Sequence, residues 1–311
     1  MKKIIITGAA GLVGLNLLNS INCEKYNVIA IDKNKNNLRL AKKINPKIQT
    51  VCADLSVLDK FWGRYFENGF CVIQLQAQIS DSEKIPYIKN NIKSVENIIK
   101  TCEENKIKNL IHISSSVVMS IAKDYYTNTK KIGEYLVKKS KIPHTILRPP
   151  LMYGCFDIKH LNFIVKKFEK SPIIIFPGKG DYIRQPLYVK NFIKILLKLI
   201  EKKPKNKIYS IIGKEQIYFI DLIKEIYKQN KQNKIFIKVP IPIFVFLLKI
   251  HNFFTNRKAF VVDQLKALTA GDIFAVDNWE KEFGIKYTSY KQGVKEMINS
   301  KNYILTNFMQ K

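Results

Sequence analysis

The stretch KIIITGAAGLVGLNLL, residues 3–18, constrains the fold of this 311-residue chain more than any other. A short apolar run leads directly into Gly8, Gly11 and Gly14, and an apolar helical run follows. In a strand, glycine loop and helix of this kind, the first glycine permits the tight turn. The second lets the backbone approach a diphosphate, and the third allows close packing of helix on strand. The helix N-terminus adds free backbone N–H donors and the positive end of its dipole. The pattern predicts a dinucleotide-binding β-α-β start, with Gly8, Gly11, Leu12, Val13 and Gly14 around the phosphates.

Asp32 closes the second apolar run, eighteen residues beyond Gly14. A carboxylate there accepts hydrogen bonds from an adenosine ribose and repels a 2′-phosphate, so NAD is expected rather than NADP, with Lys33 and Lys35 working against that preference. Asp54, in CADLS, is placed either to meet the adenine edge or to hold a plain turn.

Further strand-like runs at 27–32, 48–52, 70–75, 109–114 and 144–148 alternate with helical stretches. They are nearly continuously apolar, as expected for parallel strands covered on both faces. Ile92, Val95, Ile98, Ile99 and Cys102 form a helical stripe facing such a sheet. The fold class is therefore α/β, a Rossmann-type doubly wound parallel sheet with a smaller C-terminal substrate lobe. Residues 1–155 are expected to form the NAD-binding domain, with a returning segment 186–213 whose KIYSIIG run adds a strand. Residues 156–185 and 214–311 are assigned to the lobe, with helices near 219–229 and 243–254.

Lys+Arg number 53 against 25 Asp+Glu, a formal net charge of +28, which raises nucleic acid or an anionic membrane as partners. Lysine is spread throughout, arginine occurs only at 39, 64, 148, 184 and 257, and no basic stripe is interleaved with aromatics, so nucleic-acid binding is not expected. The five cysteines lie far apart without a C-x-x-C pair and read as reduced core residues, and the four histidines share no ligand spacing, so no metal is expected. MKKIIITGAAG reaches its glycines too soon for a secretory signal, which predicts a cytoplasmic protein. IPIFVFLLKIHNFF, 241–254, is broken by Lys249 and His251 and is shorter than the ~20 residues that span a bilayer. It reads either as a buried amphipathic helix or as one lying in a membrane interface, which leaves peripheral membrane contact open.

The chemistry is carried by LIHISSSVVMSIAKDYYTNTKK, residues 110–131. Tyr126 and Lys130 are four apart, on one helix face, whereas Tyr125 has Thr129 at that offset. A neighbouring ammonium is expected to lower the phenol pKa and make Tyr126 an acid/base. A serine from the preceding strand end can hydrogen-bond the same substrate oxygen.

Together, TGAAGLVG, Asp32, ADL (53–55), Asn91 in NNIKSVENII, ISS ending at Ser115, Tyr126-x-x-x-Lys130 and LRPPLMYG resemble the extended short-chain dehydrogenases/reductases, the NAD-dependent epimerase/dehydratase family. The resemblance implies Ser115, Tyr126 and Lys130 as the catalytic group, with Lys130 also holding the nicotinamide ribose. It adds Asp54, Leu55, Leu75, Gln76, Ala77 and Asn91 to the cofactor site. Arg184, in RQPLYVKN, is either a ligand to a substrate diphosphate, for which its bidentate fork is suited, or a surface arginine. The implied substrate is a nucleotide sugar, and the implied assembly is a homodimer through helices at 86–104 and 124–140.

The chain departs from the family at QLQA, 74–77, in place of the usual His-x-Ala-Ala, and at Met119, where tyrosine is frequent. Only eleven residues separate Ser115 from Tyr126. Ser116 and Val117 stand where sugar dehydratases carry an acidic pair. Elimination of water needs a further acid and base, so dehydratase chemistry is disfavoured. Epimerase and ketoreductase stay open. The alternatives are a non-catalytic NAD-binding protein docked on a membrane or complex, and a reductase of a non-sugar carbonyl.

Overall fold

A computed structural model describes residues 1–255, 271 and 273–303. The expected helix at 243–254 lies within them, but residues 256–270, 272 and 304–311 of the predicted lobe lie outside the described residues. In chain order the first half comprises β1 (Lys2–Thr7), α1 (Leu12–Ser20), β2 (Tyr26–Asp32), α2 (Lys35–Ile44), β3 (Gln49–Cys52), α3 (Lys60–Gly63), β4 (Gly69–Gln74), α4 (Lys84–Ile88), α5 (Ser94–Glu104), β5 (Leu110–Ile113), α6 (Tyr125–Lys139) and β6 (His144–Arg148). There follow β7 (Met152–Tyr153), α7 (Leu161–Lys167), β8 (Ile173–Pro177), β9 (Ile183–Arg184), β10 (Leu187–Tyr188), α8 (Val189–Glu201) and β11 (Lys207–Ser210). The C-terminal part adds β12 (Ile217–Tyr218), α9 (Phe219–Gln229), β13 (Ile235–Val239), α10 (Ile241–Thr255), α11 (Trp279–Phe283) and α12 (Tyr290–Ile298).

Seven strands form one sheet in the order β11-β6-β5-β4-β1-β2-β3, and every pairing in it is parallel. The strand order turns back between β1 and β4, and in such sheets the crevice beyond the strand C-termini at that point receives the ligand. The returning strand at 207–210 pairs with β6, as its sequence predicts.

The continuous apolar runs have a direct structural cause. Ile4 and Ile6 enter the hydrophobic cluster on one face of the sheet, and Ile5 enters the cluster on the other. Neighbouring strands repeat the split, with Val28, Ala30, Cys71 and Ile73 on the first face and Ile29, Ile31 and Val72 on the second. The second face is covered by α5 and α6 through Val95, Ile98, Cys102 and Val137. The first is covered by α1 and α8, and its cluster runs on into the C-terminal elements through Leu222, Trp279 and Met297. Glu201 at the end of α8 ties that helix to the N-terminal ends of β1 and β2. It pairs with Lys2 at 3.0 Å and Lys25 at 2.9 Å and accepts the Tyr26 hydroxyl proton.

The C-terminal part contains pairings that the sequence reading does not contain, among them β12 with β9, antiparallel. β8 and β13 form a separate two-stranded parallel sheet, with Ile173 opposite Ile235 and Ile175 opposite Ile237. Among the described residues, no helix is long and apolar enough to cross a membrane.

Candidate active site

The loop after β1 opens on a cleft of about 670 Å³. Gly8 has φ +65°, and a Cβ on it would lie 2.4 Å from the Gln76 backbone nitrogen, so the turn accepts only glycine. A Cβ on Gly14 would lie 2.3 Å from the Ala9 carbonyl oxygen, which explains the close packing of α1 on β1. Gly11 differs, because a Cβ there would meet only the Gly8 carbonyl oxygen at 3.5 Å. The protein therefore tolerates a side chain at Gly11, and the space above it belongs to the cleft. No side chain caps α1, so its first-turn N–H groups face that space. These features fit a diphosphate. A Gly11→Leu variant is expected to keep its melting temperature within a few degrees yet lose at least about tenfold in NAD affinity by calorimetric titration; unchanged affinity would place the diphosphate elsewhere.

Asp32 lines the cleft at the end of β2. Its carboxylate accepts the Ala10 N–H at 3.0 Å and the Asn34 N–H at 2.9 Å, which fixes it beside the glycine loop with lone pairs left for a ribose. Lys33 donates to the Asn90 side-chain oxygen at 2.9 Å, linking β2 to the segment before α5. Asp54 does both things left open by the sequence: it lines the cleft and it accepts the Ser56 N–H at 2.9 Å, holding a turn. Burial raises its carboxyl, but the Ser56 hydrogen bonds and the charges of Lys33 and Lys89 outweigh this and leave it below its ordinary pKa. Leu12, Val13, Leu55, Leu75, Gln76 and Ala77 also line the cleft. Gln76 is held by the Thr7 hydroxyl at 2.6 Å and reaches Ser94 at 3.3 Å, so the departure at QLQA has its own local partners.

Asn91 is placed differently from the other residues of the expected cofactor set. It is 2% exposed, and its amide exchanges two hydrogen bonds with the Gln78 backbone, at 2.7 and 3.0 Å, and donates to Thr129 at 3.0 Å. It pins the cleft-lining segment after β4 to α6 and does not itself line the cleft.

Ser115, Tyr126 and Lys130 come together at the C-terminal end of β5 and the start of α6. Ser115 and Tyr126 both line the cleft, and the Ser115 hydroxyl accepts the Val117 N–H at 3.4 Å. Lys130 is 3% exposed, and its ammonium donates to the Ile113 carbonyl at 2.7 Å. Burial brings its pKa down to about 8, against the pull of Glu134. The expected lowering of the Tyr126 pKa by Lys130 does not occur in the protein alone. Burial raises the phenol, the neighbouring Ser115 hydroxyl offsets part of that, and the charges of Asp124 and Tyr87 add to it. The sequence spacing places Lys130 on the right helix face, but its ammonium is turned to the β5 carbonyl.

Ser116 is buried and, with Val117, lines the cleft beside Ser115, so no carboxylate stands at either position. Beneath Ser115, the Ser114 hydroxyl donates to Glu134 at 2.7 Å, and Arg148 binds the same carboxylate through two nitrogens at 2.9 and 2.5 Å. Arg184 lines the cleft from β9, and its neighbour Gln185 exchanges two hydrogen bonds with the Phe274 backbone, at 2.7 and 3.0 Å.

The family model of the NAD dependent epimerase/dehydratase family matches residues 4–211 of the 311. The chain belongs to this family. Similar proteins include the uncharacterized UDP-glucose epimerase YtcB of Bacillus subtilis (strain 168), 25% identical over 249 residues, which cover 64% of this chain and 73% of that protein. The N-acetyl-alpha-D-glucosaminyl-diphospho-ditrans,octacis-undecaprenol 4-epimerase of Escherichia coli O157:H7 is 22% identical over 257 residues, which cover 75% of this chain and 73% of that one. The fold matches the UDP-glucose 4-epimerase of Thermotoga maritima with a TM-score of 0.76 at 18% identity, over 98% of this chain and 99% of that one. It matches the UDP-glucuronic acid 4-epimerase of Bacillus cereus, crystallised with NAD, with a TM-score of 0.72 at 21% identity, over 97% and 96%.

NAD is the cofactor of this family, and the open space at Gly11, the uncapped α1 and the fixed Asp32 fit it. The cleft also contains residues that sequence reasoning missed. Tyr87, Asn90, Asp157, His160 and Phe274 line it from segments without a recognisable spacing. Asp157 is fully buried, and it accepts the His160 backbone N–H at 3.0 Å and lies 3.1 Å from that ring. A signal was present only in the compact D-x-x-H spacing at the start of α7, which by itself reads as a helix cap.

Proposed function

We propose that the chain is an NAD-dependent epimerase of nucleotide sugars in which Tyr126 moves the proton and Ser115 and Lys130 position it. The observation that carries this is the convergence of Ser115, Tyr126 and Lys130 in the cleft that also contains the glycine loop, with no carboxylate at Ser116 or Val117. The names of the similar proteins support the sugar substrate.

The glycine loop and Asp32 would hold NAD, which would supply the hydride acceptor and, in its oxidised form, a positive charge favouring the phenolate. Tyr126 takes the proton from the sugar hydroxyl as that carbon is oxidised, and returns it when the ketone is reduced from its other face. Ser115 hydrogen-bonds the same sugar oxygen and holds the phenol in line. Lys130, with a pKa of about 8, is largely protonated at neutral pH and fixes the end of β5, beside the catalytic group, through the Ile113 carbonyl. Arg184, which lines the same cleft from β9, would bind the diphosphate of the nucleotide through its guanidinium fork. With the nucleotide anchored there, the ketone can turn over without leaving the cleft.

Incubation with NAD and a panel of nucleotide sugars, followed by NMR of the products, tests this reading. Interconversion of two epimers without net NADH formation is the expected result. Consumption of NADH on a keto sugar with no epimer formed would make the protein a ketoreductase instead. We also propose a homodimer through α5 and α6, where Ile132 and Tyr135 are exposed one turn apart; light scattering that gives a monomer at micromolar concentration would reject it.

A further inference from the structure

The two-stranded sheet β8–β13 and the helix that follows it carry apolar side chains that the fold does not cover. Ile173 and Ile175 on β8 are 40% and 43% exposed, and Ile235 and Ile237 on β13 are 64% and 44% exposed. Residues two apart on a strand share a face, and the register sets Ile173 beside Ile235 and Ile175 beside Ile237. Four isoleucines therefore make one square facing water, while Ile174 and Phe176 between them are buried in the core.

The adjoining helix repeats the pattern. α10 begins at Ile241, just after β13 ends at Val239, and Ile243, Phe246, Leu247 and Ile250 on it are 52%, 62%, 46% and 39% exposed. Their spacing of three, four and seven puts them on one helix face. A single exposed isoleucine means little, but eight large apolar side chains on the three elements β8, β13 and α10 mark an interaction surface.

The charges around the square choose its partner. Exposed Lys170 and Lys231 precede the two strands, and exposed Lys179 and Lys238 lie at their other ends, with Lys167 also exposed nearby. The acidic residues in the same flanking segments are Glu169 and Asp181. Lys234 keeps its charge, but its ammonium is held by the carbonyls of Phe168, Glu169 and Ser171 at 2.6–3.1 Å, so its donors are already engaged. Apolar side chains bracketed by lysines, in a chain of formal net charge +28, match an anionic bilayer surface, with acyl chains for the isoleucines and headgroup phosphates for the lysines.

We propose that the face formed by β8, β13 and the exposed stripe of α10 docks this protein peripherally on membranes rich in anionic phospholipid. The surface is separate from the chemistry assigned to the cleft, so either can fail without the other. No span is involved, since among the described residues no helix can cross a bilayer.

Co-sedimentation of the full chain with vesicles tests the proposal, using phosphatidylcholine with 30% phosphatidylglycerol, as an order-of-magnitude anionic content of about one lipid in three, against pure phosphatidylcholine. Binding to the anionic vesicles is expected at low salt, weakened by added salt and much weaker on the neutral ones. The Ile175→Ser/Ile237→Ser double variant is expected to lose at least about tenfold in vesicle partitioning while retaining NAD binding. Ile132→Ser on α6 is expected to keep it. Failure of the full chain to sediment with anionic vesicles at low salt would overturn the proposal. So would undiminished sedimentation of the double variant. A double variant that turns an oligomer into a smaller species by light scattering, with sedimentation unchanged, would assign the face to a second copy of the chain instead.

Discussion

Tyr126→Phe is expected to lower kcat by a factor of roughly 10²–10⁴ with little change in NAD affinity, the range that positioned acid/base groups contribute. The substitution removes one oxygen. The ring remains between the same neighbours, and the Asp124 side chain still caps α6 through the Thr127 N–H at 2.9 Å, so the helix keeps its start. What is lost is the hydroxyl that is assigned the proton transfer in the cleft it lines with Ser115. A melting curve and NAD titration matching the wild type, together with the lost turnover, would separate a chemical effect from a folding one. Full turnover in the variant would remove Tyr126 from the mechanism. The pH profile carries a second sign. Burial raises the phenol in the protein alone, so kcat/KM for wild type, which reports the free enzyme, should climb on the alkaline side of neutrality.

The parts of the fold that were legible in the sequence are those fixed by local rules. The β1 loop declared itself because Gly8 and Gly14 are required by backbone contacts within one β-α unit. The strands were legible because each alternates its residues between two cores, which forces continuous apolar runs such as Ile4 to Ile6. The pairing of β8 with β13 was not legible, since it joins segments some sixty residues apart and neither run carries a turn signal to its partner. The site divides in the same way. Tyr126 and Lys130 follow from helical spacing, whereas the direction of the lysine ammonium depends on the Ile113 carbonyl across the sheet. Asn91 matched a motif, yet its amide is spent on Gln78 and Thr129. Residue type and position along the chain do not reveal which hydrogen bonds a buried amide will find.

The largest expected effect on stability lies one layer below the catalytic group. Glu134→Gln is expected to destabilise the fold by about 2–3 kcal/mol at pH 7, because Arg148, whose side chain is 20% exposed, loses the carboxylate it grips through two nitrogens. Burial alone would raise the Glu134 carboxyl, but the hydrogen bonds from Arg148 and Ser114 and the Arg148 charge bring it below its ordinary value. A carboxyl whose pKa is lower folded than unfolded stabilises the fold above the unfolded value, near ~4.3, and that contribution is lost as pH falls through the folded one. Urea titrations should therefore show the wild type well above the variant at pH 7 and the two converging at acid pH; equal stability at pH 7 would show that Arg148 finds other partners. The same change should reach the chemistry. Glu134 accepts the Ser114 hydroxyl at 2.7 Å, immediately before Ser115, and lies one helical turn from Lys130. A loosened Ser114 lets the Ser115 hydroxyl drift from Tyr126, so kcat should fall severalfold while KM for the nucleotide sugar, assigned to Arg184, stays close to its wild-type value.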